Sequence, residues 1–211
     1  YKDSNNLIIA EGNAVAKNKY NKKISADKII YFKKDNKVQT FKNSKFEDGI
    51  NTLTAENFIY LIKEKTLEAD KNVIFLDKQN NKYFFDNLKY FEENEKIFGK
   101  ITKSKINGDQ YFEAEEVNSD NKNQISIFKK AKYTTCSKIY NNKDEFCPSW
   151  SLNSGSITHD KKNKKIIHKN ALLKIKNVPI LYSPYFSHPD PSVKRQSGLL
   201  PPVIKTITGI G

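Results

Sequence analysis

A segment of eight residues recurs along the chain, and its copies share one order of apolar and polar positions. The copies begin at Ile24, Leu53, Tyr83, Phe112 and Leu152. Their third positions lie 29, 30, 29 and 40 residues apart. A fixed period of this size is typical of a stacked array of β or α units rather than of one compact globule.

Each copy is rich in Ile, Tyr, Phe, Val and Thr, and a polar turn follows it. A second β-like stretch then begins at Val38, Leu67, Ile97, Ile125 or Ile166. Two short strands joined by a turn rich in Asn, Asp and Lys predict one β-hairpin per repeat. The spacing of the apolar residues does not fit the helical period of 3.6. The expected fold class is therefore all-β.

Aligning the copies predicts which positions share the inner face. The first, third, sixth and eighth columns stay largely apolar, whereas the seventh contains Lys89 and Asn118 and is expected to face water. The candidate inner-face residues are Ile24, Ala26, Ile29, Tyr31, Leu53, Ala55, Phe58, Tyr60, Phe85, Leu88, Tyr90, Phe112, Ala114, Val117, Leu152 and Ile157. Small residues beside aromatic ones could leave a groove for a ligand, or they could interlock into a dry core.

The step from the third to the sixth column breaks the two-residue period of a strand. An acidic residue occupies this break in four of the copies, at Asp27, Glu56, Asp86 and Glu115. A β-bulge at the acidic residue would return both halves of each copy to one common inner face. We therefore read these carboxylates as structural rather than as a catalytic pair.

The net charge of +13 raises the possibility of a polyanionic partner. Arg195 is the single arginine, however, and the lysines are scattered along the chain rather than clustered. Specific contacts to phosphates and bases depend heavily on arginine, so nucleic acid is not an expected partner. The lysines are read either as a solvated face or as an attraction for anionic lipid headgroups.

The sequence contains no pattern that predicts an enzyme. His159, His168 and His188 are too sparse for a triad, and no phosphate-binding loop, dinucleotide fingerprint or metal-ligand box is found. We expect no catalytic residue, no metal site and no cofactor.

The last third of the chain carries three motifs in a fixed order. They are Pro148-Ser-Trp150, Val178-Pro-Ile-Leu-Tyr-Ser-Pro-Tyr185 and Ser197-Gly-Leu-Leu-Pro201. Together they resemble the LptD family of lipopolysaccharide-assembly outer-membrane proteins, also called OstA. The upstream hairpins are similar to the repeat of the periplasmic bridge protein LptA and its relatives.

This resemblance implies an open, V-shaped β-jellyroll that leads into an outer-membrane β-barrel. Residues 1–178 would form the periplasmic jellyroll, and residues 179–211 a proline-rich junction whose prolines interrupt strand pairing. Residues 203–210 would begin the first barrel strand. Because the chain starts at Tyr1 and has no methionine, we expect it to be a piece of a longer protein.

The same resemblance implies function and partners. The chain would accept lipopolysaccharide in an apolar groove and pass it to the barrel, at the periplasmic face of the outer membrane. An LptA-like bridge protein would dock on the first strands, around residues 7–15. An LptE-like lipoprotein would plug the barrel. The alternatives are a structural β-solenoid or adhesin module with a dry core, and a polyanion-binding domain.

In an oxidising periplasm, Cys136 and Cys147 could close a disulfide loop, although pairing with cysteines of the barrel is an alternative that the family suggests. The aromatic residues Trp150, Tyr182, Tyr185 and Phe186 also have two interpretations. They are either core residues where the stack meets the barrel, or anchors at a membrane interface.

Overall fold

A computed structural model describes residues 2–3, 6–18, 22–78, 81–106, 110–134, 150–190 and 192–193. Over these residues the chain forms fifteen β-strands and no helix. The strands are β1 Lys2–Asp3, β2 Leu7–Lys17, β3 Lys23–Phe32, β4 Lys37–Phe41, β5 Ser44–Glu47, β6 Thr52–Ala55, β7 Asn57–Leu61, β8 Thr66–Leu76, β9 Lys82–Phe91, β10 Lys96–Ile106, β11 Gln110–Asp120, β12 Ile125–Thr134, β13 Trp150–Asp160, β14 Lys165–Ile175 and β15 Val178–Pro189. The described part of the chain contains no helix long and apolar enough to cross a membrane.

The strands form one antiparallel sheet in which almost every strand pairs with its neighbour along the chain. The main order is β1-β2-β3-β4-β7-β8 and then β9 to β15 in sequence, while β5 and β6 form a second ladder between β3 and β8. The five predicted hairpins are present, and their turns lie at residues 33–36, 62–65, 92–95, 121–124 and 161–164. The all-β fold class is confirmed, and the sheet is consistent with the expected β-jellyroll.

The turns have a local chemical cause. Asp120 and Asp160 each accept a hydrogen bond of 2.9 Å from the backbone N–H of the asparagine three residues later. This arrangement offers the chain a turn in place of further strand pairing. The last residue of each turn, such as Asn36 or Lys164, has a positive φ and returns the chain to the sheet.

A break crosses the strands near their middle, at the predicted acidic positions. In β3 the two residues between the buried Ala26 and Ile29 are not buried. The backbone N–H of Asp27 donates to the Lys42 carbonyl at 3.1 Å, and the Asn43 side-chain amide donates to the Asp27 carboxylate at 3.1 Å. The acidic residue therefore holds the break in place.

The extra residues lie on the neighbouring strands, whereas we predicted the bulge at the acidic residue itself. In β8, Lys71 and Asn72 stand between Asp70 and Val73, opposite the one residue Asp86. Lys71 and Asn72 have φ values of 60° and 52°. Asparagine tolerates this left-handed region better than most residues, which is why the Lys-Asn pairs, rather than the carboxylates, supply the bulge.

The last described strand corrects another expectation. Pro179, Pro184 and Pro189 lie within β15, which pairs with β14 from Val178 to Pro189, so the prolines do not end the pairing, although the register shifts between Leu173 and Lys174. Since β15 is an edge strand of the described sheet, a proline there can turn its missing N–H away from the ladder. The division at residue 178 stays a prediction, and both the cysteine pair and residues 203–210 lie outside the described residues.

Candidate functional site

The structure brings the predicted inner-face residues together in one apolar interior. Fifteen of the sixteen are buried, and Tyr31 is half-buried against the same cluster. The outward prediction also holds, because Lys89 and Asn118 are exposed. The alignment of the copies therefore identified the face correctly. That these side chains contact a lipid stays a prediction.

The second strand of each hairpin supplies most of the remaining interior, and the alignment of first strands did not include it. These further core residues include Val38, Phe46, Leu67, Phe75, Ile97, Phe128, Tyr133 and Ile166. Their signal is an alternation of apolar and polar residues, as in Leu67-Glu-Ala-Asp70 of β8. The bulge after Asp70 shifts that alternation, so no simple column alignment extends across it.

The interior is packed in this structure rather than open. Phe58 is 2% exposed and Leu88 is 3% exposed, which leaves neither accessible to a ligand without movement. Rings fill the space between the two halves of the sheet, and the centroids of Phe112 and Phe128 stack at 5.0 Å. A ligand in this interior would have to replace such contacts.

Opposite ends of the strands meet along a polar line that we call the seam. The turns that hold Asn51 and Asp77 line a cavity of about 200 Å³ together with Gln124, Lys161 and Asp190. The first two residues lie at one end of the strands and the last three at the other. The sheet therefore folds over at the break, and the two rows of turns close against each other.

Charged and hydrogen-bonded pairs cross the seam. The Tyr90 hydroxyl donates to the Asp48 carboxylate at 3.0 Å, and Lys161 Nζ lies 3.6 Å from the Asp77 carboxylate. Lys22 and Glu92 form a further ion pair. Burial raises the pKa of Tyr90, and the Asp48 charge raises it further. Burial lowers the pKa of Lys161, which the Asp77 charge opposes.

All three histidines of the chain are buried at the end of the sheet formed by β13, β14 and β15. His188 Nδ1 lies 2.8 Å from the Pro189 carbonyl, which can only accept, so Nδ1 carries the proton. His188 Nε2 therefore accepts from His168 Nε2 at 3.2 Å, and His168 Nδ1 accepts from the Ser154 hydroxyl at 3.0 Å. Both rings are neutral in this chain of hydrogen bonds.

These two rings are neutral because they are buried with little compensating charge, which lowers the pKa of each. Burial lowers the pKa of His168 to about 3, helped by the neighbouring His188. The pKa of His188 is also lowered, chiefly by burial. The third histidine is bonded differently, because His159 Nε2 lies 2.5 Å from the Asp190 carboxylate. Burial would raise the pKa of Asp190, but the hydrogen bonds from His159 and Ser192 outweigh it and lower the pKa.

Two interpretations were open for four aromatic residues near the end of the sheet, and the structure places two of them in the core and two on the surface. Trp150 is 6% exposed and packs edge-on against Tyr133 at 5.8 Å, and Phe186 packs against His168. Those two belong to the core. Tyr182 and Tyr185, by contrast, are 59% and 55% exposed.

The outer face carries paired rather than free charge at several places. The ion pairs there include Lys28–Glu11, Lys89–Glu68, Lys129–Glu116 and Lys130–Glu115. Exposed pairs of this kind contribute little to stability because water screens them. Because acidic side chains stand among the lysines of the outer face, this face is less suited to binding a polyanion.

Comparison with known proteins points to one group of relatives. The chain is 30% identical over 179 residues to the LPS-assembly protein LptD of Shewanella frigidimarina, which covers 79% of this chain and 20% of that protein. It is 29% identical over 188 residues to the LptD of Shewanella denitrificans, which covers 89% of this chain and 20% of that protein. No family model matches the chain.

A shorter stretch is more similar still. Over 75 residues, 36% of this chain, it is 43% identical to 9% of the LPS-assembly protein LptD of a Polaromonas species. The chain spans about a fifth of the length of the Shewanella relatives. The resemblance predicted from the sequence motifs is thus confirmed.

Proposed function

Because this chain is a relative of the LPS-assembly protein LptD, we propose that it acts in lipopolysaccharide assembly by holding acyl chains in its interior. The single observation that carries the proposal is the continuity of the inner face. Buried apolar side chains follow one another from β3 to β14 without a gap in the described sheet. A continuous apolar path suits a flexible, elongated, apolar ligand.

The energetics favour such a ligand. An acyl chain of about twelve carbons gains roughly 10 kcal/mol on leaving water, at ~0.8 kcal/mol per methylene. The interior side chains already pack on one another, so lipid uptake exchanges one set of apolar contacts for another. The two halves of the sheet must separate for this, and the seam is where they meet. Its ion pairs and hydrogen bonds can be replaced by water when it opens.

The proposal includes the partners that the resemblance implies. The two-residue strand β1 pairs with Ile8 and Ile9 at the outer edge of β2, the side on which the described sheet begins. An LptA-like bridge protein would add its strand there and continue the apolar path. The acyl chains would then leave toward a β-barrel in the outer membrane, which an LptE-like lipoprotein plugs.

Site-specific photocrosslinking to lipopolysaccharide tests the proposal. A photoreactive residue is placed at Phe58 or Leu88, which point inward, and at Lys89 or Asn118, which point outward as matched controls. We expect adducts at the first pair and none at the second. Adducts at neither pair in a folded protein would mean a dry core, and the chain would then be a structural module.

The dependence of binding on salt concentration distinguishes lipid capture in the interior from the polyanion-binding alternative. Capture in an apolar interior should persist from low to moderate salt, because no counterions are released. If adducts moved to the outward lysine position and disappeared with added salt, the lysine face would be the binding surface.

A further inference from the structure

The end of the hairpin formed by β14 and β15 differs from the rest of the protein surface in being apolar. The twelve residues of β15 include no charged side chain, in a chain that is 29% charged. Its large apolar residues are unusually exposed: Val178 57%, Ile180 58%, Leu181 61%, Tyr182 59% and Tyr185 55%. So dense a group of exposed apolar side chains marks an interaction surface.

The partner strand extends the same surface. Leu173 lies opposite Leu181, Ile175 lies opposite Val178, and both residues of β14 are only half-buried. These pairs add apolar residues of β14 to the hairpin end. We call residues 172–185 the apolar tip.

The tip is held in place by its own sheet. Below it, Phe186 and His188 pack into the core, and the Tyr182 hydroxyl donates to Asn170 at 3.1 Å. The tip therefore projects from a fixed base, and its exposed side chains are available for contact.

The occupant of this surface contacts side chains rather than backbone. Three of the twelve residues of β15 are prolines, which have no N–H to donate to another strand. Prolines on an edge strand protect it against pairing with a further strand. A second copy of the chain or another protein would therefore find an incomplete ladder here.

The charge of the hairpin indicates which occupant fits. Between residues 165 and 189 there are four lysines and no acidic residue, and two of the lysines, Lys174 and Lys176, lie within the apolar tip. Tyrosine is enriched where an apolar phase meets water, and lysine attracts anionic headgroups. We propose that the apolar tip docks on an anionic lipid bilayer, with its apolar side chains at the acyl boundary and its lysines among the headgroups.

Flotation with vesicles of phosphatidylethanolamine and phosphatidylglycerol tests this docking on the whole 211-residue chain. The double variant Ile180→Asn, Leu181→Asn should lower binding about tenfold or more, since apolar contact dominates interfacial binding. The matched control is Phe98→Asn, Ile127→Asn, which removes two apolar residues 42% and 37% exposed on the outer face. Binding of this control should equal that of the unmodified chain.

The lysines are tested separately. Lys174→Gln with Lys176→Gln should weaken binding severalfold on these vesicles and leave it unchanged on neutral phosphatidylcholine vesicles. Equal binding by the tip variant and the unmodified chain would overturn the proposal. So would self-association of the unmodified chain that the tip substitutions abolish, because the occupant would then be a second copy. Photocrosslinking at Phe58 reports on the interior alone, so the two proposals can fail independently.

Discussion

Gly99 shows how far a single residue is constrained in this interior. It lies on β10 opposite Leu88, and a Cβ built on it would collide with the ring of Phe85. Phe85 is 4% exposed and stacks on Tyr83 with 6.4 Å between ring centroids, so its ring has little room to move aside. The glycine is therefore needed for the close approach of an aromatic side chain to the backbone.

We expect Gly99→Ala to lower the free energy of unfolding by about 1–3 kcal/mol, because the added methyl overpacks the ring of Phe85. Gly155→Ala is the matched control. A Cβ there meets its nearest atom at 3.6 Å, which is ordinary contact. Its effect should lie within about 0.5 kcal/mol. Urea unfolding measures both, and an equal loss in the two variants would contradict the role given to Phe85.

At the scale of the strand, the sequence predicts the first half of each hairpin better than the second. The inner columns could be read from five aligned copies because each first strand keeps one break at a fixed place, as at Asp27 or Glu56. In the second strands the break consists of residues at positive φ, such as Lys42 and Asn43. A Lys-Asn pair carries no unique signal in a chain rich in both residues. The closing of opposite strand ends along the seam is equally invisible, because it depends on the folding of the whole sheet.

The seam closes over the interior through contacts that need both partners. The Asp77 side chain is 3% exposed, and the Lys161 side chain is 16% exposed. Asp77 also accepts hydrogen bonds from Asn81 at 2.9 Å and Tyr83 at 3.3 Å. Removal of the lysine would leave a buried carboxylate without its cation, which costs more than the loss of an exposed pair.

Lys161→Met should therefore destabilise the fold by about 2 kcal/mol and loosen the seam. Lys162→Met is the matched control, because Lys162 lies next to Lys161 in the same turn but is exposed. Urea unfolding gives the stability, and the fluorescence of an apolar dye under native conditions reports access to the interior. We expect more dye uptake in the first variant only. Uptake that is unchanged in both would show that the seam does not control access.

At the scale of the molecule, the fold is a line of hairpins in which each strand contacts its neighbours. Stability in such an array is close to a sum over adjacent units, so the ends matter as much as the middle. The end formed by β13 to β15 contains the buried pair His168 and His188, and it is also the base of the apolar tip. Protonation of this pair would place charge in the core beside Tyr133, with His159 and Asp190 next to it.

The stability of the molecule should therefore depend on pH through these two histidines. The folded pKa of His168 is lowered from 6.5 to about 3, so the unfolded chain binds more protons throughout that window. The stabilisation is fully present above about pH 6.5 and is lost as the pH falls toward 3. Between about pH 7.5 and 5.5, His168 alone should account for a loss of about 1.4 kcal/mol, and His188 adds in the same direction.

Urea unfolding at the two pH values measures this loss of stability, with His168→Leu as the comparison. The variant is expected to be less stable at neutral pH, yet to lose less on acidification than the unmodified chain. If both lost the same amount, the histidine pair would not be the group that titrates.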